Sequence, residues 1–125
     1  MKNEPVRVVL VEDNDTFRET LELLFGLREE IEIVASAASG DEAPALCGEL
    51  RPDVVVMDYR MPGLNGAEAT RAVLRACPTA AVVCLSASVT AEEVDEVRAA
   101  GAVAVVTKDE DFDRLVQVVR EAGTA

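Results

Sequence analysis

The apolar positions of this chain gather into five short runs: VRVVLV (residues 6–11), IEIVASA (31–37), VVVM (54–57), AAVVCLS (80–86) and VAVVT (103–107). All five are rich in Val, Ile or Ala, and the first, third, fourth and fifth are nearly unbroken rather than alternating. That is the pattern of parallel strands whose sheet is covered on both faces. Between the runs the period lengthens to that of a helix. Phe17, Leu21, Leu24 and Phe25 share one face, as do Ala43, Leu46, Cys47 and Leu50, and again Phe112, Leu115, Val116 and Val119. Ser39-Gly-Asp-Glu42 and Thr90-Ala-Glu-Glu93 fit the S/T-x-x-E capping box that opens a helix. Gly101, after Arg98-Ala99-Ala100, is placed to stop one. Strand and helix alternate throughout, which predicts an α/β fold: a doubly wound parallel sheet with helices on both faces.

Right-handed crossovers bring every strand carboxyl end to one edge, where sheets of this kind bind ligands. The residues delivered there are Glu12 and Asp13 after the first run, Asp58 after the third, Ser86 at the end of the fourth and Lys108 after the fifth. The second run contributes only Ser39 and Gly40. Each alone has a bland reading. An acidic pair opening a helix favours its dipole, and a lone Asp before the Met-Pro-Gly turn of MDYRMPGLNG is ordinary turn chemistry. Together they form a set with a physical problem to solve. Carboxylates in one cleft repel by about 4 kcal/mol per pair at about 4 Å and an effective dielectric of about 20. One lysine does not offset three acids, so a divalent cation is implied, and oxygen-only ligands with room for waters and a phosphate suit Mg²⁺. A carboxylate is ionised at neutral pH and is a nucleophile without a general base. Attack by Asp58 on phosphorus would give an aspartyl phosphate, with Mg²⁺, the Lys108 ammonium and the Ser86 hydroxyl facing its oxygens.

Composition narrows the alternatives. The 125 residues are expected to form a single domain, 1–125, and no apolar run approaches the roughly 20 residues that span a membrane. The start, MKNEPVRVVLVED, lacks a signal-peptide core, so a cytoplasmic protein without membrane contact is expected. Histidine is absent, which excludes His-ligated zinc and imidazole-based nucleophile pairs. Cys47, Cys77 and Cys84 have no C-x-x-C spacing and are expected to be reduced, buried hydrophobes. The formal charge of −12 argues against direct binding of nucleic acid. The acidic run Glu92, Glu93, Asp95 and Glu96 is expected to be a solvated helix face, with a partner-binding role for that face left open.

On the stretches VRVVLVEDN, MDYRMPGLNG, LSAS and AGAVAVVTK, the chain resembles the response-regulator receiver domain, the phosphoacceptor module of two-component signalling. The resemblance covers nearly the whole chain. It implies a flavodoxin-like (βα)5 fold with strand order 2-1-3-4-5. It implies that Asp58 takes a phosphoryl group from a sensor histidine kinase or histidine phosphotransfer protein. It makes Asp13 the direct Mg²⁺ ligand, Glu12 an acid reaching the metal through water, and Arg60 the donor of a backbone carbonyl. Lys108 would contact the phosphoryl group, Ser86 would swing toward it, and the small Ala87 would leave access open. An output domain, a partner protein or a second copy of the chain would read the change. KDEDFDRL is most similar to receivers joined to helix-turn-helix output domains.

Two positions depart from the family pattern. Val105 stands where many members carry an inward-turning Tyr or Phe, and a β-branched side chain has no ring to rotate. Asp109 stands where a proline in a cis peptide is usual, so a trans link is expected. Both departures favour the alternative function, a phosphorylation-independent interaction module of the same fold. A flavin site is disfavoured because Glu12 and Asp13 would repel its phosphate. The related phosphatase pattern wants a second Asp where Arg60 stands.

Overall fold

The computed structural model describes residues 4–124; residues 1–3, where the reading of the chain's start falls, and Ala125 lie outside the described residues. Strands and helices alternate as β1 (Val6–Val11), α1 (Asp15–Gly26), β2 (Ile31–Ala37), α2 (Ala43–Leu50) and β3 (Val54–Asp58). They continue as α3 (Gly66–Ala76), β4 (Ala81–Ser86), α4 (Ala91–Ala99), β5 (Ala104–Thr107) and α5 (Phe112–Thr124). The strands form one parallel sheet in the order β2-β1-β3-β4-β5. This is the doubly wound, flavodoxin-like arrangement that the alternation and the resemblance imply.

The two sheet faces explain why the apolar runs are unbroken. Val6, Val8 and Leu10 of β1 pack with Leu21 and Phe25 of α1 and with Leu115, Val116 and Val119 of α5. Val9 and Val11, pointing the other way, pack with Ala43 and Cys47 of α2, Val73 of α3 and Val97 of α4. All five residues of β3 are buried, the mark of a central strand. Each fully buried valine contributes roughly 1.5–3 kcal/mol, so the sheet centre holds the fold. β2, at the edge, buries only Ile31 and Ala37 of its seven residues, and its pairing with β1 shifts register between Val8 and Val9.

Local signals fared unevenly. Thr90 and Glu93 form the expected capping box on α4. Ser39 does not cap α2: the helix begins at Ala43 with Glu42 at its N-cap, and no side chain caps it. Pro44 explains the difference, since its ring presets φ in the first turn and it has no N–H to be capped. A second complete capping box, Asn65 with Glu68, opens α3, where the Asn-Gly pair reads as a turn signal. Gly63, not Gly66, takes the left-handed backbone of that loop, with φ of 83°. Gly66 is needed for space, because a Cβ there would meet the Tyr59 Cα at 2.8 Å. Gly101, with φ of 119°, follows the C-cap Ala100 and stops α4 as expected.

Candidate functional site

Parallel pairing sets the strand ends side by side. Asp58 closes β3 in register with Leu85, and Ser86 closes β4 in register with Thr107. The Lys108 N–H donates to the Ser86 carbonyl at 2.7 Å and carries its side chain over the edge toward β3 and β1. Glu12 and Asp13 leave β1 as Asn14 caps α1 through the Phe17 N–H, at 2.8 Å. The site is therefore assembled by the sheet and not by any one loop.

Carboxylate oxygens of Glu12, Asp13 and Asp58 lie within 4.8 Å of one another. Glu12 is 1% and Asp58 6% exposed, whereas Asp13 is more open. The Lys108 ammonium lies 3.0 Å from Glu12 Oε1 and 3.3 Å from Asp58 Oδ2. It also sits over the Phe17 ring, 4.4 Å from the centroid. Glu12 Oε2 accepts from the Asn14 N–H at 3.1 Å, but Oε1 has no hydrogen-bond partner. At 3.0 Å its contact with Lys108 is an ion pair without hydrogen-bond direction. Burial pushes the Glu12 carboxyl up from the ordinary carboxylate range, against the opposing pull of the Asn14 N–H and Lys108. Burial works against the charge of Lys108, yet Glu12 and Asp58 outweigh it and hold the ammonium above its ordinary value.

A buried carboxylate oxygen without a hydrogen bond, beside two more acids, is a poor end state for the protein alone. It fits a hard cation that takes oxygen ligands. Among the described residues this is the one acidic group with such spacing. The donor set contains neither nitrogen nor sulfur, which disfavours zinc.

The remaining expected residues surround this centre. The Ser86 hydroxyl is fully buried and donates to the Ser88 carbonyl at 3.0 Å, away from the acids. Ala87 is exposed beside it. The Arg60 N–H points at Asp58 Oδ1 at 3.4 Å, a long and weak contact. Val105 is half-buried and packs into the core on the α2, α3 and α4 side. The Lys108–Asp109 peptide is trans. Three participants were not legible as such. Phe17 belongs to the apolar face of α1 but its ring carries Lys108. Tyr59, given no role by the sequence, is buried and its hydroxyl donates to Glu96 at 2.6 Å. Glu93 reads as a capping residue on a solvated acidic face, but it also pairs with Arg60 at 2.7 Å, and Glu96 of the same run takes the Tyr59 hydroxyl.

Residues 8–120 match the family profile of the response regulator receiver domain, and the chain belongs to that family. It is a receiver domain of the kind found in two-component response regulators. The transcriptional regulatory protein LnrK of Bacillus subtilis (strain 168) is 35% identical over 114 residues, which are 91% of this chain and 52% of that protein. The signal receiver domain of NarL from Mycobacterium tuberculosis superposes with a TM-score of 0.91 at 31% identity, covering 98% of each chain. A LuxR-family two-component response regulator from Aurantimonas sp. SI85-9A1 gives a TM-score of 0.90 at 33% identity, over 96% of this chain and 86% of that one. The chain spans about half the length of the curated relatives it matches. No described helix is long and apolar enough to cross a membrane.

Proposed function

We propose that Asp58 accepts a phosphoryl group from a sensor histidine kinase or a histidine phosphotransfer protein, and that the added charge changes the affinity of this domain for an output domain or partner. The observation that carries this reading is the buried Asp58 carboxylate, 3.3 Å from the Lys108 ammonium and grouped with Glu12 and Asp13. Membership of the receiver family supports it, as does the description of the relative LnrK as a transcriptional regulatory protein.

In the transfer, an Asp58 oxygen forms a bond to phosphorus while the bond from phosphorus to the donor's imidazole nitrogen breaks. The electron pair stays on that nitrogen, and the product is a mixed carboxylic–phosphoric anhydride on Asp58. Mg²⁺, held by the Asp13 and Asp58 carboxylates and the Arg60 carbonyl, with Glu12 reaching it through water, would supply positive charge for the phosphoryl oxygens. Lys108 is already over the site, and its ammonium can turn from Glu12 to a phosphoryl oxygen without crossing the cleft. Ser86 must give up the Ser88 carbonyl to donate to the same group, which makes its hydroxyl a reporter of phosphorylation. Exposed, small Ala87 leaves the approach open. Val105 has no ring to follow Ser86 inward, so this half of the response rests on Ser86 alone.

Intact-mass measurement after incubation with acetyl phosphate tests the reading, since here the broken bond releases acetate. One adduct is expected, formed with Mg²⁺, lost with a chelator and absent from Asp58→Asn. That variant should stay folded, because it keeps the volume and removes only the charge. A labelled Asp58→Asn protein would overturn the assignment. No adduct on folded wild type with Mg²⁺ would favour the phosphorylation-independent interaction module.

A further inference from the structure

The helix least held by apolar burial is α4. Val97 is its one buried residue, against five in α3, four in α5 and two in each of α1 and α2. Its other ties are polar, and two of them come from the residues directly after Asp58. Tyr59, buried at its base, donates its hydroxyl to Glu96 Oε1 at 2.6 Å. Arg60 Nη2 lies 2.7 and 2.9 Å from the two Glu93 oxygens. Glu93 and Glu96 are three residues apart and so share one helix face. The Arg60 guanidinium also lies over the Tyr59 ring, 5.5 Å from its centroid, which joins the two ties.

The ties differ in strength. The Arg60 side chain is 56% exposed, so its pair with Glu93 is screened and easily broken. The Tyr59 hydrogen bond ends on a charged group in a partly buried place and is the firmer of the two. Glu93 has a second task, accepting from the Thr90 N–H in the capping box of α4. The easily broken contact therefore acts on the very start of that helix.

We infer that Tyr59 and Arg60 are positioning residues that tether α4 to the phosphoacceptor loop, with the Arg60–Glu93 pair as the contact that yields when Asp58 is phosphorylated. This rests on the reading of Asp58 as phosphoacceptor. A phosphoryl group brings a charge of about −1.5 to −2 to the neighbourhood of Arg60. That group offers the guanidinium three acceptor oxygens and more charge than the Glu93 carboxylate does. Arg60 turning to the phosphoryl group leaves Glu93. The first turn of α4 then keeps its Thr90–Glu93 capping box but loses its tie to the phosphoacceptor loop, while Val97 and the Tyr59 bond hold the helix further along.

Hydrogen exchange of the amides of residues 91–100, measured alongside intact mass, tests the tether with and without acetyl phosphate and Mg²⁺. Glu93→Gln keeps the capping box, in which Gln serves as well as Glu, and removes the ion pair. Tyr59→Phe removes only the hydroxyl. In the unphosphorylated protein, exchange in α4 should quicken roughly threefold in Glu93→Gln and roughly tenfold in Tyr59→Phe, while the other helices keep their rates. Phosphorylation should quicken α4 exchange in wild type and have a smaller effect in Glu93→Gln. Glu93→Gln, whose Arg60 is already released, should also take the phosphoryl group more readily at fixed acetyl phosphate.

Wild-type exchange in unphosphorylated Glu93→Gln and Tyr59→Phe would overturn the tether. So would a labelled wild type whose α4 exchange does not change, or a full wild-type response in Glu93→Gln. A wild type that takes no adduct would instead overturn the phosphoacceptor reading, and the coupling with it.

Discussion

Glu12 shows what a residue can hide from its sequence. Its place after β1 was legible, but its burial to 1% exposure, its oxygen without a hydrogen bond and its ion pair with Lys108, 96 positions away, were not. Because burial works against its charge, Glu12→Gln should raise the unfolding midpoint of the metal-free protein in urea. The same variant should lose most of the stabilisation that Mg²⁺ provides, and an unchanged Mg²⁺ response would remove Glu12 from the metal-binding set. The cysteines were read correctly as small buried hydrophobes. Burial pushes the Cys47 thiol up to about 11 and the Cys84 thiol up to about 12. Native protein should therefore leave a disulfide reagent unreacted at mildly alkaline pH, and all three thiols should react once it is unfolded. Since these folded values lie above the ordinary 9.0, the unfolded chain releases its thiol protons first. The stability they contribute is complete below that value and is lost as pH rises through about 11 and about 12, which an alkaline unfolding titration would register.

At the scale of elements, the helix and strand faces followed from periodicity, while helix starts depended on which competing signal won. The Ser39 signal lost to Pro44, which fixes the start of α2 without a capping side chain. The Asn65 signal was masked by its own Gly66, since Asn-Gly is read first as a turn. The two sites make opposite predictions. Asn65→Ala should cost about 1 kcal/mol in urea unfolding, because it removes the Glu68 N–H acceptor of a complete capping box. Ser39→Ala should cost less than about 0.5 kcal/mol, because its hydroxyl meets only the Glu42 side chain. Equal losses would contradict the observed start of α2. Gly66 also shows why element boundaries are hard to explain from sequence. Its backbone needs no positive φ, and it is the approach of Tyr59 that leaves no room for a Cβ.

The whole molecule is a sheet that gathers charge at one edge. With a formal charge of −12, it should gain some stability from any salt that screens its self-repulsion. Mg²⁺ should do more than that. At a concentration about 100-fold above its dissociation constant, a specifically bound ion adds about 2.7 kcal/mol, and the midpoint of thermal unfolding should exceed that in NaCl of matched ionic strength. Equal midpoints would mean screening alone. The sequence by itself determined the alternation of strands and helices, the burial of both sheet faces and the residues delivered to the strand ends. Those features are local: a period of hydrophobicity, or a residue one step beyond an apolar run. Only the tertiary structure decided that Lys108 spans Glu12 and Asp58, that Phe17 carries its ammonium, and that Tyr59 and Arg60 hold α4 through Glu96 and Glu93. Those contacts join side chains from separate elements, and no periodicity encodes the distance between them. The crossovers and the strand order decide it, by setting β3 between β1 and β4.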